Sequence, residues 1–259
     1  MLLSAPAYAL PPIDLTVADT EYESLVDQTI WTNTDLFQAT GTGLFDPYLR
    51  VQDKPAYEDT PDGVEEGLNT DGDRLLEQVG GGDPHTHAVQ FGDLLIVEKD
   101  GQEYYLFSVD FAEPDGGGQE FLTLEELRLY TVDESAGGSL TTEAAVIAAA
   151  GSDENYDLDG TSDQTVWLDY SISNKGNGES DIDFYIPTSY FAGANATDYF
   201  YTYVKFGNVD TIEGESWESD GSFEELRVLT GENPPDGPEP GTVALFGIGL
   251  IGLAAYRRK

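Results

Sequence analysis

Short apolar and aromatic runs, separated by turn residues, recur over residues 28–230 and predict a mainly β chain. The run Tyr199–Phe206 is almost continuously aromatic and apolar, which is typical of a central strand covered on both faces. An Asp-Gly turn between residues 94–98 and 103–111 predicts a hairpin. The other predicted strands are residues 28–33, 36–40, 48–52, 86–91, 125–131, 164–171, 182–187 and 224–229.

This succession of short strands favours a β-sandwich of antiparallel strands with a jelly-roll-like arrangement. One segment departs from the pattern, because residues 141–150 are rich in alanine and predict a helix that Gly151 would stop. That helix could cover the surface, cross between sheets or link two domains. We expect one domain over residues 10–230, because about 80 residues after the helix would make only a thin sandwich.

The chain is strongly acidic, with 50 Asp and Glu, 11 Lys and Arg, and a formal net charge of −39. Phosphate binding needs clustered cations, so nucleic acid is excluded as a partner. Bound cations or a saline environment would relieve the repulsion. Because cations are scarce, we expect Arg128 and Arg227 to pair with carboxylates. Both lie in a repeated Glu-Glu-Leu-Arg, which we expect to end each half of the sandwich equivalently.

Two loops place oxygen-bearing side chains two residues apart around a glycine, and this pattern predicts structural Ca²⁺ as the only cofactor. The alternative is an ordinary Asp/Gly turn. Neither loop completes an EF-hand, because Gly80 and Leu168 occupy the twelfth positions. The candidate ligands are Asn69, Asp71 and Asp73 in the first loop, and Asp157, Asp159 and Asp163 in the second.

Catalytic chemistry has little support in the sequence. The chain has no cysteine, and its two histidines, His85 and His87, lack a third metal ligand nearby. Glycoside hydrolysis needs only two carboxylates, but 50 acidic residues make the choice of any pair arbitrary. Aromatic residues such as Trp167, Trp217 and Tyr199 could stack on sugars, or they could belong to the core. We therefore predict a protein without catalytic residues.

The two ends of the chain suggest export. Ala7-Tyr8-Ala9 is typical of a signal-peptide cleavage site, so residues 1–9 would be the remnant of that peptide. Residues 231–241 form a Pro/Gly linker. Residues 242–256 carry no charge and precede a basic triplet, so residues 242–259 predict a transmembrane helix with a cytoplasmic basic end.

The tail resembles the tripartite PEP-CTERM sorting signal. The matching parts are Pro238-Glu239-Pro240, the apolar run, and the closing residues Arg257, Arg258 and Lys259. The resemblance implies recognition and cleavage by exosortase, a membrane enzyme, followed by passage to the cell surface or extracellular matrix of Gram-negative bacteria that make exopolysaccharide. Short pieces over residues 41–229 also resemble a recurring type of PEP-CTERM surface protein.

Two hypotheses follow. The first is a non-enzymatic, exported protein that its tail anchors in the inner membrane before exosortase processing, and that then associates with exopolysaccharide or other matrix components. The alternative is a carbohydrate-binding or carbohydrate-cleaving β-sandwich that follows the same route. Exposed aromatic rings beside carboxylates would favour the second hypothesis, whereas buried rings would favour the first.

Overall fold

The computed structural model describes residues 10–34, 36, 46–52, 61–72, 85–114, 116–160, 163–173, 180–212, 214–219 and 223–231. Its strands are β1 (Ile13–Asp14), β2 (Glu21–Glu23), β3 (Ile30–Thr32), β4 (Leu49–Val51), β5 (Glu65–Leu68), β6 (Val89–Gln90), β7 (Ile96–Lys99), β8 (Gln102–Phe111), β9 (Phe121–Val132), β10 (Asp153–Asp157), β11 (Val166–Asp169), β12 (Ile182–Pro187), β13 (Tyr199–Phe206), β14 (Asn208–Ile212), β15 (Glu215–Trp217) and β16 (Glu224–Val228). The α-helix is α1 (Glu143–Ile147). The predicted helix over residues 242–259, and all but one residue of the predicted strand 36–40, lie outside the described residues.

The strands form two large sheets, as a mainly β chain predicts. The first sheet has the order β1-β11-β9-β13-β5, with β10 also paired to β9 and β6 to β13. The second has the order β2-β3-β12-β8-β16-β4, with β7 also paired to β8. Pairing is antiparallel except between β1 and β11. Strands from both sides of α1 enter each sheet, so α1 does not link two separate sheets. The more specific jelly-roll arrangement stays a prediction.

The predicted hairpin is confirmed between β7 and β8. Lys99 pairs with Gln102, and the two residues between them have positive φ values of 54° for Asp100 and 83° for Gly101. Positive φ at both central positions gives the tight turn that follows the twist of the flanking strands. The predicted central strand is also confirmed, because β13 pairs with β9 on one side and with β5 and β6 on the other.

Aromatic rings join the two sheets. Trp31 of β3 stacks on Phe184 of β12, with 4.7 Å between ring centroids, and Phe184 stacks on Phe107 of β8 at 4.9 Å. The Phe107 ring then meets Phe200 of β13 in the first sheet at 5.8 Å. All four side chains are fully buried. Because such rings bury large apolar areas, this row supplies much of the contact between the sheets.

A second, smaller apolar cluster covers the outer face of the first sheet. Val146 of α1 packs there with Leu68, Tyr130, Tyr201 and Tyr203. The hydroxyl of Thr142 caps the helix by accepting a hydrogen bond from the Ala145 N–H at 3.1 Å. The Ala-rich segment is therefore a surface helix. It is shorter than predicted, with five residues, of which Val146 is buried while Ala144 and Ile147 face solvent.

The repeated Glu-Glu-Leu-Arg occupies one strand of each sheet. Leu127 of β9 and Leu226 of β16 both point into the core between the sheets. The expectation that each copy ends a half of the sandwich is wrong for the first copy, which lies in the middle of β9. The predicted pairing of Arg128 with carboxylates is confirmed by Glu126 and Glu143, each 2.9 Å from a guanidinium nitrogen.

Within the ranges that the structure describes, no helix has the length and the apolar character needed to cross a membrane.

The aromatic row makes a direct prediction. Phe107→Ala should lower the free energy of unfolding by about 3–5 kcal/mol, because it removes the ring that contacts both Phe184 and Phe200 and leaves a cavity. Ile96→Ala, on the neighbouring strand β7 at a half-exposed position, should cost less than about 1 kcal/mol. Urea unfolding measures both. Equal losses would contradict the assignment of Phe107 to the contact between the sheets.

Candidate functional site

The first predicted calcium loop begins with Asn69, whose side-chain amide forms hydrogen bonds with backbone groups. The Asn69 Oδ1 accepts a hydrogen bond from the Thr202 N–H at 2.6 Å, and its Nδ2 donates to the Phe200 and His87 carbonyls at 3.0 and 3.3 Å. The side chain is fully buried. Asn69 therefore fastens the end of β5 to β13 and to the segment before β6. Its oxygen is already used by a backbone donor.

The next residues of this loop also make structural contacts. The Asp71 Oδ1 accepts a hydrogen bond from the Ala88 N–H at 3.0 Å, while its own N–H donates to the Gly138 carbonyl at 2.9 Å. A Cβ at Gly138 would lie 2.9 Å from the Asp71 Oδ2, so the two segments approach closely because residue 138 is a glycine. The third predicted ligand, Asp73, lies outside the described residues.

The second loop begins at Asp157, the last residue of β10, and its other two predicted ligands, Asp159 and Asp163, follow that strand. The Asp157 Oδ1 accepts a hydrogen bond from the Asp159 N–H at 3.1 Å, and the Asp159 Oδ1 accepts one from the Gln164 N–H at 3.2 Å. Asp163 is exposed. Burial, followed by the charges of Asp157 and Asp163, raises the pKa of Asp159 above its ordinary value. The loop therefore favours a positive charge, from either a cation or a proton.

A protein cation already lies beside this loop. The Arg128 Nε is 3.6 Å from the Asp157 Oδ1, while the other guanidinium nitrogens contact Glu126 and Glu143. The guanidinium carbon also lies 5.9 Å from the centre of the Tyr203 ring. Arg128 thus shares one charge among three carboxylates on the outer face of the first sheet. Because the fold supplies this partner, Asp157 does not depend on an external ion for its compensation.

A cleft of about 250 Å³ opens beside the second loop, where β10 faces the turn between β2 and β3. The rings of Tyr156 and Tyr190 meet edge to face in its wall, with 5.6 Å between their centroids. The other polar lining residues are Ser24, Asp27, Glu154, Asn155, Asp157, Asp159 and Gln164. Carboxylates accept hydrogen bonds from hydroxyl groups and attract cations, whereas they repel anions. The cleft therefore suits a polyhydroxylated or cationic molecule.

The sequence predicted Asp157 and Asp159 of this cleft as ligands, but it did not predict Asp27 or the two tyrosines. Tyr190 follows β12, Asp27 precedes β3, and Tyr156 lies in β10, so three distant segments build one wall. No local motif links these segments. The available signal was the repeated Asp-x-Asp around residues 157–159, which marks the loop but not its neighbours.

The described part of the chain contains no group of three His, Cys, Asp or Glu side chains that could hold a metal ion. His85 and His87 lie in the segment that leads into β6 and are half-buried. The calcium ligands predicted in the two loops are thus separate: Asn69 and Asp71 anchor one junction, and Asp157, Asp159 and Asp163 line another loop. Calcium binding at the second loop stays a prediction.

The aromatic residues considered as a sugar platform pack against one another. Trp217 of β15 is buried, and the rings of Phe121 and Trp167 each lie 5.0 Å from it. Trp167 and Tyr199 are half-buried. Among the residues that the structure describes, no aromatic side chain is largely exposed. This arrangement is what a structural role for the aromatic residues predicts.

Comparison with known proteins gives one match. Residues 238–259 match the family model of the PEP-CTERM protein-sorting motif. This range contains all six predicted sorting residues, so the interpretation of the tail as a sorting signal is confirmed. No curated protein and no solved structure matches the chain.

The buried amide of Asn69 gives a prediction that separates a structural role from a metal-binding one. Asn69→Ala should lower the free energy of unfolding by about 2 kcal/mol or more, because the Thr202 N–H and two carbonyls lose their partner. Asp71→Ala, which removes one exposed hydrogen bond, should cost about 1 kcal/mol or less.

Urea unfolding in EDTA and in CaCl₂ measures this effect. The loss caused by Asn69→Ala should be the same in both solutions. A loss seen only in CaCl₂ would assign Asn69 to a calcium site instead.

Proposed function

We propose, from the PEP-CTERM sorting motif that this chain carries, that it is a non-enzymatic surface or matrix protein. The motif marks an exported protein that is directed to exosortase and processed on its way to the cell surface. The motif match is the observation that carries the proposal. In this function the folded residues form the exported domain, and residues 238–259 form its sorting signal.

Anchoring before cleavage is the first part of the proposal. Residues 242–256 are uncharged, and the basic triplet Arg257, Arg258 and Lys259 follows them directly. Such a segment holds a chain in the inner membrane with its basic end in the cytoplasm. Proline fixes φ and restricts the residue before it, so Pro238 and Pro240 would favour an extended peptide for recognition by exosortase.

Association with exopolysaccharide is the second part. The sequence offers two histidines and no cysteine for catalysis, and the aromatic rings described above pack against each other. Both observations support a role that depends on surface and location. The acidic surface would be screened by cations in the matrix.

Binding of a neutral sugar is the second candidate function, and the cleft beside β10 is the observation that favours it. The half-buried Tyr190 provides the accessible part of an aromatic ring, backed by the buried Tyr156, and Asp27, Glu154 and Asn155 provide partners for hydroxyl groups. Because the lining is acidic, uronic acids and other anionic sugars would be repelled. A glycan array with matched neutral and anionic sugars distinguishes this function from a purely structural one.

Structural calcium is the last part of the proposal, and the second loop is its location. Asp157, Asp159 and Asp163 lie within seven residues of one another, and burial together with the charges of Asp157 and Asp163 raises the pKa of Asp159, which supports a place for a positive charge. A bound ion would replace part of the charge that Arg128 now shares among three carboxylates.

Removal of the sorting tail tests the main proposal. A chain truncated before Pro238 should be released without passing through a membrane-bound form, because the anchor and the recognised peptide are both absent. Cell fractionation with an antibody against residues 10–230 measures the distribution. A full-length chain in which Pro238 and Pro240 are replaced by alanine is the matched control, and it should stay membrane-bound and uncleaved. Identical distributions of all three forms would contradict the proposal.

Calcium binding is tested by thermal unfolding. CaCl₂ at about 2 mM should stabilise the protein by about 0.6–1.8 kcal/mol beyond NaCl of equal ionic strength, if the site binds like other extracellular calcium modules. Asp159→Ala should remove this difference, whereas Asp71→Ala should leave it unchanged. Equal shifts in the two salts, unaffected by Asp159→Ala, would leave only general screening of the acidic surface.

A further inference from the structure

Two glutamates meet in the interior at one end of the two sheets. Glu224 opens β16 in the second sheet, and Glu65 opens β5 at the edge of the first sheet; both side chains are fully buried. Glu224 lies two positions before Leu226 on the same strand. Both side chains therefore point to the same side, into the core. Glu65 pairs across the strands with the core residue Phe206, so it also points inward.

The Glu224 carboxyl is surrounded by other acids. Neither of its oxygens accepts a hydrogen bond from an N–H or hydroxyl group in the described part of the chain. Glu65 faces it directly and accepts a hydrogen bond from the Ser219 hydroxyl at 2.6 Å on its own Oε1. Asp110 at the end of β8 and Glu113 just after it, both buried, are the other charged groups that act on Glu224.

The nearest cation on the neighbouring strand serves a different carboxylate. Arg50 of β4 binds Glu225, which lies next to Glu224 in the chain. Adjacent residues of a strand point to opposite faces, so this ion pair lies on the outer side of the second sheet. In the described residues no Lys or Arg forms an ion pair with Glu224.

Two ionised carboxylates cannot remain in contact at a buried site without a compensating positive charge, because burial and like charge both disfavour ionisation. We propose that Glu224 is a neutral glutamic acid in the folded protein and donates its proton in a hydrogen bond to Glu65, so that this bond joins β16 to β5 and thereby the two sheets. The proposal assigns a proton as the compensating group, and the described residues contain no group of three His, Cys, Asp or Glu side chains that could hold a metal ion there.

The proton makes this junction sensitive to alkaline pH. Burial, followed by the charge of Glu65, raises the pKa of Glu224 well above its ordinary value. Between the ordinary value and the raised one, the folded state binds one more proton than the unfolded state, so stability falls as the pH rises. The contribution is fully present below the unfolded pKa and is lost as the pH passes the folded one. Above that pH, two carboxylates repel each other between the sheets.

Glu224→Gln tests the proposal, because the amide keeps the shape of the neutral acid and can still donate to Glu65. Each rise of one pH unit within the window should shift the unfolding equilibrium of the wild type about tenfold towards the unfolded state, relative to the variant. Urea unfolding of the full chain between pH 5 and pH 9 (a chosen range, above the ordinary pKa of Glu, about 4.3) measures this ratio. The variant should be at least as stable as the wild type at the alkaline end.

Glu225→Gln is the matched control, one residue away. It breaks the ion pair with Arg50, so it should destabilise the protein by a nearly constant factor over the same range. Infrared spectroscopy provides a readout that does not depend on stability. The wild type at neutral pH should show a protonated-carboxyl C=O band that Glu224→Gln removes and Glu225→Gln retains.

Two results would overturn the proposal. One is a destabilisation by Glu224→Gln that does not change with pH, with no difference in the carboxyl band, because Glu224 would then be ionised throughout. The other is stabilisation of the wild type by CaCl₂ over matched NaCl that Glu224→Gln abolishes and Asp159→Ala does not. That pattern would mean that a bound cation, and not a proton, compensates the charge of Glu65 and Glu224.

Discussion

Carboxyl groups outnumber cations by more than four to one in this chain, and the way they are accommodated governs the rest of the structure. Some are stabilised as charged groups by local hydrogen bonds, because Asp14, Asp133 and Asp169 each accept one from the backbone N–H two residues further on. Hydrogen bonds from the Ser135 side chain and from the Ser135 backbone hold the pKa of Asp133 below its usual value. Others share Arg128, and the most deeply buried pair carries a proton in our proposal. An acidic chain can therefore fold with few lysines and arginines.

The strands predicted most accurately from the sequence are those whose apolar residues occupy positions that the sheets bury. The strand β12 coincides with its predicted bounds, as does β13, because both carry apolar side chains on positions that the sheets bury. The strand β5 was missed because two glutamates and a glycine fill three of its four positions. The strand β10 was missed because four of its five residues are polar, and pairing with β9 places them in a sheet. In both cases the partner strand decides the structure, and the local sequence does not reveal that partner.

The functional residues also divide into those that a local sequence signal identifies and those that only the fold brings together. The sorting tail could be recognised from sequence because it is read as a short linear peptide, so that its order of parts contains the whole signal. The loop at Asn69 resembles a calcium loop in sequence. Its amide is nevertheless bound by Thr202, which lies 133 residues further along the chain. The contact between Glu65 and Glu224 is equally remote. Pairings over such distances depend on the fold, which residue types and spacing alone did not specify.

The edge of the second sheet carries charges that bear on its pairing with another chain. Its outermost strand, β2, reads Glu21-Tyr22-Glu23, and both glutamates face solvent. An unprotected edge strand is a template on which another molecule can extend the sheet. Here a second copy would bring its own glutamates against these, and like charges placed side by side oppose pairing. Pairing of two copies edge to edge through β2 is therefore disfavoured.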